Sequence, residues 1–320
     1  MKLSALRAVA LALVAALPVH CMAASIGIVT IVEGEATILR DVQRFTAAEG
    51  QRVHDGDILR TGEQTRHARV ELSDGSTLDL GPGTELLLQP RAVGAFAERA
   101  ATLYLARGWL KIGAGRDPGV SGIASATLDL QQLAGTAVLR VAPGSATAFV
   151  ESGSARVAEP QAGRDSAPRS LHEGDALVTR AGEAASLARR PPAEMLQDLP
   201  RAFADSLPRR AARFLASPVE PGAGEPVTYT EASAWINGEP ALRTLAVQRF
   251  APRVSDRAFR AALLHEMRAH PEWHRVLFPE KYRPRPAPVA RRAAPQDAPV
   301  VSLHGLMTWP GAPDDLAPNP

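Results

Sequence analysis

Cysteine is all but missing from this chain: among 320 residues there is one, Cys21, so no disulfide can form within a single copy. Aromatic residues make up only 5%, too few for a surface rich in stacking platforms. Beyond Val19 no apolar run approaches the roughly 20 residues that a membrane-spanning helix needs. Neither sign of charge prevails, with 36 Lys and Arg against 34 Asp and Glu. That balance removes the basic footprint on which binding to a phosphate backbone depends, so nucleic acid is not an expected partner. Gly-x-Ser-x-Gly and phosphate-loop motifs are lacking as well, and no cofactor is expected.

What is present begins with Lys2 and Arg7 ahead of the run AVALALVAALPV, which ends at Val19. A basic start, about a dozen apolar residues and a small-x-Ala pattern at Cys21 to Ala23 read as a cleaved secretory signal peptide. Acylation of Cys21 is disfavoured, because His20 puts a bulky ring where a lipoprotein peptidase takes a small side chain. Cleavage after Ala23 removes Lys2, Arg7 and Cys21, leaving 36 − 2 = 34 basic against 34 acidic residues and no thiol. A neutral protein in the periplasm or outside the cell is the expectation.

From residue 24 to 190 the chain consists of short runs such as SIGIVTIV, ARVELS, STLDL and TAVLRV, separated by glycine-containing turns. This spacing predicts an all-β domain, a β-sandwich or β-roll. Val70 and Leu72 flank Glu71, Leu78 and Leu80 flank Asp79, and Leu128 and Leu130 flank Asp129. In a strand those acids point away from the core. The stretch ELSDGSTLDLGPGTEL, Glu71 to Leu86, reads as a hairpin with a two-residue Asp74-Gly75 turn and a second corner at Gly81-Pro82-Gly83. An internal repeat spans the region: Val32 and Val150 each precede, by the same interval, a turn written HDGD from His54 and HEGD from His172. Two similar half-sheets, each closing on a Gly-Asp turn, follow from it.

These motifs carry a family resemblance. Gly27 and Val29 in an opening strand, Gly56-Asp57 with Thr61-Gly62, Asp74-Gly75-Ser76 running into Leu80-Gly81-Pro82, Gly135-Thr136, and Glu173-Gly174-Asp175 occur in an order that resembles the FecR domain over residues 26 to 188. That family includes the periplasmic sensing module of iron-citrate-type transmembrane regulators. The resemblance implies the β-sandwich fold and a sensing role, with an outer-membrane receptor and a sigma factor as the family's signalling partners. Two departures stand out. Ala134 occupies a place where members often have arginine. A signal peptide stands where the regulators carry an anti-sigma domain and a membrane helix, so the chain resembles the stand-alone exported members, for which only envelope-side partners are within reach.

Residues 191 to 282 change character to Ala/Arg/Leu-rich patterns and predict a helical accessory domain, and the Pro- and Ala-rich segment 283–320 predicts a disordered tail. Pro200 and Pro208 break the first stretch into short pieces. Thr230 is placed as the cap of EASAWIN, Pro240 opens a helix through Phe250, Ser255 is placed as the next cap, and Pro271 starts a last turn. The closing HPEWHRVLFPEKY resembles tails that follow the FecR domain in some exported proteobacterial proteins, and no activity comes with that likeness.

Candidate chemistry is sparse. His265 and His270 suggest a zinc-peptidase motif but stand five apart, about 140° around a helix, so both rings cannot reach one metal. His270 and His274 have the right interval, yet Pro271 breaks the helix between them; no metal is expected. Ser121 and Ser152 sit in turns without a nearby base. Asp55, Asp57, Asp74 and Asp79 could be arranged as a glycosidase pair, but acids beside glycine are turn formers first. Trp109, Tyr104, Phe96, Phe45 and Phe149 are read as core rather than as a sugar platform. Arg209, Arg210 and Arg213, with Lys281, Arg283, Arg285, Arg291 and Arg292, form a basic edge and tail read as solvated. The resulting expectation is a non-enzymatic envelope recognition module, for sensing or assembly, that binds an envelope protein (a receptor or secretion component) or a cell-wall glycan. An envelope hydrolase with a split carboxylate site, and a structural or adhesion module, are the alternatives. No catalytic or metal residue is named, and the binding residues are left open.

Overall fold

The computed structural model describes residues 25–88, 101–115, 122–160, 168–266 and 270–283. The signal peptide, Phe96, Ser121 and the tail beyond residue 283 therefore lie outside the described residues. The chain divides into two compact units, Met1–Pro279 and Glu280–Pro320, and the first holds everything discussed below. The described residues are mainly β with C-terminal helices, 42% strand and 25% helix.

The strands are β1 (Ser25–Glu33), β2 (Ala36–Arg40), β3 (Gln43–Thr46), β4 (Arg52–His54), β5 (Ile58–Thr61), β6 (His67–Leu72), β7 (Thr77–Leu80) and β8 (Glu85–Leu88). After them come β9 (Leu103–Gly113), β10 (Ile123–Ala124), β11 (Asp129–Ala142), β12 (Ser145–Ala158), β13 (Arg169–His172), β14 (Ala176–Arg180), β15 (Ser186–Ala188) and β16 (Glu225–Pro226). The long strand β9 belongs to two runs. Its first half pairs with β8, which continues through β5, β2, β3 and β16; its second half pairs with β7 and β11, and β11 continues through β12, β14 and β15. Inward side chains from both runs form one core, including Ile38, Leu59, Leu86, Leu88, Leu110, Leu139 and Val150.

Strand β9 changes partners at Gly108, whose φ is +93°; a Cβ there would stand 2.4 Å from the Cα of Thr84, so only glycine allows the approach. Two hydroxyls stitch this corner. Thr61 Oγ1 donates to the carbonyl of Gly81 at 2.6 Å and accepts from the N–H of Thr84 at 2.9 Å, while the Trp109 N–H donates to Thr84 Oγ1 at 2.9 Å. The Thr61 and Gly81-Pro82 motifs thus serve the fold. The hairpin at Asp74-Gly75 forms too, but its loop is one residue longer than the sequence predicts. The Leu72 N–H donates to the Ser76 carbonyl at 2.9 Å, enclosing Ser73 to Gly75. Asp74 Oδ1 captures the Ser76 N–H at 2.7 Å, and Gly75 takes φ +84°.

The helices are α1 (Ala193–Gln197), α2 (Ala212–Leu215), α3 (Tyr229–Ile236), α4 (Pro240–Phe250), α5 (Arg257–Glu266) and α6 (His274–Leu277). Pro200 and Pro208 do break the segment after α1, and Pro240 does open α4. Two caps differ from expectation. Helix α3 starts from Thr228, which forms a reciprocal capping box with Glu231, and the N–H of Phe259 in α5 is capped by Asp256 Oδ1 at 2.8 Å. Thr230 and Ser255 lie one or two positions from where a side-chain oxygen reaches the free N–H groups. Helices α3 to α6 and the turn before α6 pack apolar side chains, among them Trp235, Phe250, Phe259 and Trp273, on Leu39, Ile58, Leu87 and Tyr104, the outward residues of the β2–β5–β8–β9 run. The helical segment therefore shares a core with the sheet.

A largely buried cation helps to fix this seam. Arg249 of α4 donates to the carbonyls of Asp41 at 3.0 Å, Gly56 at 2.6 Å and Leu39 at 2.7 Å. Burial holds its pKa below the ordinary arginine value even though Asp41 and Asp57 pull the other way. Replacing Arg249 with Leu strands those carbonyls against an apolar surface, and we expect a loss of about 3 kcal/mol of stability by urea denaturation, against under about 0.5 kcal/mol for the exposed Arg257→Leu.

Candidate functional site

The His-x-Gly-Asp turns recur in three dimensions. In the first, the His54 N–H donates to Asp57 Oδ2 at 2.9 Å; in the second, the His172 N–H donates to Asp175 Oδ2 at 3.0 Å. Gly56 and Gly174 take φ +82° and +87°. Each turn docks on a neighbouring strand through the same pair of bonds. The Gly56 N–H reaches the Leu88 carbonyl and the Leu88 N–H reaches that of Asp57; the Gly174 N–H reaches the Val150 carbonyl and the Val150 N–H reaches that of Asp175. An arginine from the adjoining chain faces each aspartate. Arg40 grips Asp57 through Nε at 2.9 Å and Nη2 at 2.7 Å, whereas Arg189 stands 4.0 Å from Asp175.

The counterpart of Val150 is therefore Leu88 and not Val32, which pairs with Ala68 in the β1–β6 ladder. The docking strand follows the first turn in sequence but precedes the second, so the two halves close alike with a permuted chain order. That difference corrects the repeat expected from the sequence.

The outer face of β6, β7, β9, β11 and β12 is unusual for the charge it buries. His67, Arg69 and Glu71 of β6, Asp79 of β7 and Lys111 of β9 alternate with core residues and so point away from the core, as the pattern predicts, yet all are nearly inaccessible to water. The segment from 193 to 215 covers them as a strap and supplies backbone partners. Glu71 accepts the N–H groups of Arg210 at 2.7 Å and Ala211 at 3.1 Å, where α2 begins. Arg69 Nη1 donates to the Leu207 carbonyl at 3.0 Å, and Lys111 Nζ to that of Phe203 at 2.6 Å. Gly81 lacks a side chain where Pro200 of the strap approaches; a Cβ would sit 2.8 Å from its ring.

Under the strap, Asp79 accepts from Arg69 Nε at 2.5 Å and Nη2 at 3.1 Å and meets His67 Nε2 at 2.7 Å. Burial opposes ionisation of Asp79, but these hydrogen bonds outweigh it and hold the carboxyl below its ordinary 3.8.

At the start of the strap the cover is incomplete. A cavity of about 200 Å³ lies between the β11–β12–β14 face and the residues around α1. Register places Arg140, Thr147 and Val178 side by side on three adjacent strands, and Ala142, Ser145 and Arg180 in the next row of the same face. Pro192, Glu194 and Met195 form the opposite wall. Arg140 is fixed from below and from the side: its guanidinium stands 4.9 Å above the Trp109 ring, and Nη2 lies 2.9 Å from Asp198 Oδ2. Arg180 meets Glu183 at 3.7 Å, both side chains more than half exposed.

The other candidates fall elsewhere. Asp55 is half-buried within the first turn, and Asp74 shapes its own hairpin. Trp109 is buried with Val138, Met195 and Phe203, with Phe149 packed against them, and Tyr104 stacks edge-on against Trp235 at 6.2 Å, so these aromatics are core as expected. Ser152 is exposed in β12, and Arg209 and Arg213 are exposed on the strap, while Arg210 is tied to Glu49 at 3.4 Å. His265 lies in the last turn of α5 and His270 before the next helical turn; residues 267–269 between them are outside the described residues. The covering strap and the cavity were not anticipated from the sequence.

No family profile matches the chain, and no curated protein matches it. Two crystal structures, at 2.50 and 1.65 Å resolution, of a candidate anti-sigma factor from Parabacteroides distasonis ATCC 8503 resemble it. Each has 14% identity and a TM-score of 0.34 and covers 42% of this chain and 59% of that one. The chain thus spans less than two thirds of the protein it matches, and a TM-score this low assigns neither fold nor function.

Because the folded pKa of Asp79 lies below 3.8, its contribution to stability is complete above that value and is lost as the pH falls through the lower, folded one. Asp79→Asn should cost about 3 kcal/mol at neutral pH by leaving Arg69 and His67 underpaired, and should flatten the acid limb of stability against pH below about 4. Chemical denaturation across that range measures both; an acid limb as steep as the wild type's would show that other groups carry it.

Proposed function

We propose that this protein is a non-enzymatic recognition module of FecR type that acts in the periplasm or at the cell envelope, in sensing or assembly. The carrying observation is that three acids of the β domain are engaged by the chain itself. Asp57 is held by Arg40, Asp79 by Arg69 and His67, and Glu71 by the N–H groups that open α2. An acid neutralised in this way is poorly placed to attack a bond or to move a proton in a substrate. The resemblance of the turn order to the FecR domain favours the same reading, because those turns form here as structural closures. The partner in this reading is an envelope protein, a receptor or secretion component, with cell-wall glycan as the other possibility for the same exposed surface.

Leu196, 54% exposed on α1 next to the cavity wall, is the position from which to test it. A photocrosslinking residue at Leu196, introduced in cells of the source organism, should give a discrete envelope adduct that the same residue at the exposed Arg257 does not. Peptidoglycan turnover by the purified protein, abolished by a carboxylate substitution that leaves its melting unchanged, would replace this reading with the split-site hydrolase.

A further inference from the structure

The cavity beneath α1 has a lining that selects for a particular kind of ligand, and this inference rests on the recognition reading. Its polar groups are unlike one another and are spread apart. Ser145 and Arg180 form a cross-strand pair, Thr147 lies in the adjacent row, and Glu194 faces them from the strap. Its apolar groups, Ala142, Val178, Pro192 and Met195, supply a small greasy wall. Arg140 is already committed to Asp198 and Trp109 and serves as a fixed side of the site. Arg180 differs, since its partner Glu183 is exposed and separated by 3.7 Å, an ion pair of little strength in water.

The cavity thus offers a cation with a hydroxyl beside it at one side, an anion at the other, and an apolar wall. A ligand bearing one charge would leave the opposite charge of the site unmatched, whereas one bearing both signs matches each. No aromatic side chain lines the cavity among the described residues, so the face on which a sugar ring stacks is missing. At about 200 Å³ the space is below the roughly 300 to 1,000 Å³ typical of drug-sized ligands, which limits the occupant to a single small building block.

We propose that the cavity binds a free α-amino acid with a small apolar side chain. Its carboxylate sits against Arg180 with the hydroxyls of Ser145 and Thr147, its ammonium against Glu194, and its side chain toward Val178, Ala142 and Met195. No bond is made or broken. The strap closes one side of the site and the sheet the other, so the ligand touches both.

Titration calorimetry of the purified full chain with L-valine tests this, with L-valinamide and N-acetyl-L-valine as probes that each lack one charge. Saturable binding of L-valine is expected at concentrations up to about 10 mM, with each derivative weakened at least about tenfold, which is 1.4 kcal/mol. Arg180→Gln and Glu194→Gln should each weaken L-valine by about the same factor. Glu194→Gln should bring L-valine down to the affinity of its N-acetyl derivative while leaving binding of that derivative unchanged, whereas a general loss of fold abolishes both. Both side chains are exposed, so melting temperature should be unchanged and confirms that the variants are folded.

Absence of saturable binding, or binding that neither substitution alters, overturns the assignment. Failure here with a persistent Leu196 adduct discards the amino-acid ligand and leaves the envelope-recognition reading in place. Binding of L-valine without any adduct sustains the ligand and removes the envelope partner.

Discussion

The buried charge on the outer face of β6, β7 and β9 constrains everything around it. A sheet face carrying His67, Arg69, Glu71, Asp79 and Lys111 is stable in water, but these residues are not in water. Taking an ion out of solvent costs several kcal/mol unless nearby groups replace the lost hydration. Some of that replacement is internal, as in the Asp79–Arg69–His67 cluster. The remainder comes from the strap: carbonyls at Phe203 and Leu207 receive the cations, and N–H groups at Arg210 and Ala211 receive Glu71. The short, proline-broken form of this segment follows from that duty. A continuous helix would spend those carbonyls and amides on itself, whereas Pro200 and Pro208 keep them available to the sheet.

The opposite face is covered by different means. Helices α3 to α6 bury Trp235, Phe250 and Trp273 against Leu39, Ile58 and Tyr104, so area removed from water supplies the attachment there. Even so, polar links register that contact: Arg249 holds three carbonyls, and Glu231 of α3 meets Arg44 of β3 at 3.3 Å. Apolar packing tolerates sliding, while a guanidinium with its donors in a fixed fork does not. One of the bonded carbonyls belongs to Gly56, in the first His-x-Gly-Asp turn, so the helical segment reads the position of the same turn that Arg40 holds through Asp57.

Those turns also show what was legible in the sequence. Alternation at Val70-Glu71-Leu72 and Leu78-Asp79-Leu80 identified the strands and the buried face because both are local, period-two signals. The hairpin at Asp74-Gly75 was legible, but its length was not, since the capture of the Ser76 N–H by Asp74 competes with the shorter turn. The capping box is written in the spacing from Thr228 to Glu231, a local signal that outweighs Thr230 as a cap. The strap was beyond such signals: Glu71 and Arg210 are 139 residues apart, and what they exchange is a backbone N–H that every residue but proline carries. The equal interval after Val32 and Val150 was misleading for a related reason. It registers the turns, whereas the strand each turn docks on is set by pairing, and that puts Leu88 after one and Val150 before the other.

The cavity lies where the strap begins, and its position has a physical reason. The charged part of the outer face ends near Lys111 and Glu151, so past it the strap has fewer ions to satisfy and is held chiefly by Met195 and Phe203 against Trp109 and Val138. There the chain turns away from Ser145 and Arg180 while remaining anchored by Asp198 on Arg140. Any small molecule seated in the gap contacts sheet and strap together, and its binding free energy adds to that of the strap's attachment by mass action. Arg140, stacked on Trp109 and paired to Asp198, is where occupancy of the gap and seating of the strap meet. The part of the molecule best suited to respond to a ligand is therefore the strap, the segment that also keeps the buried charges from water.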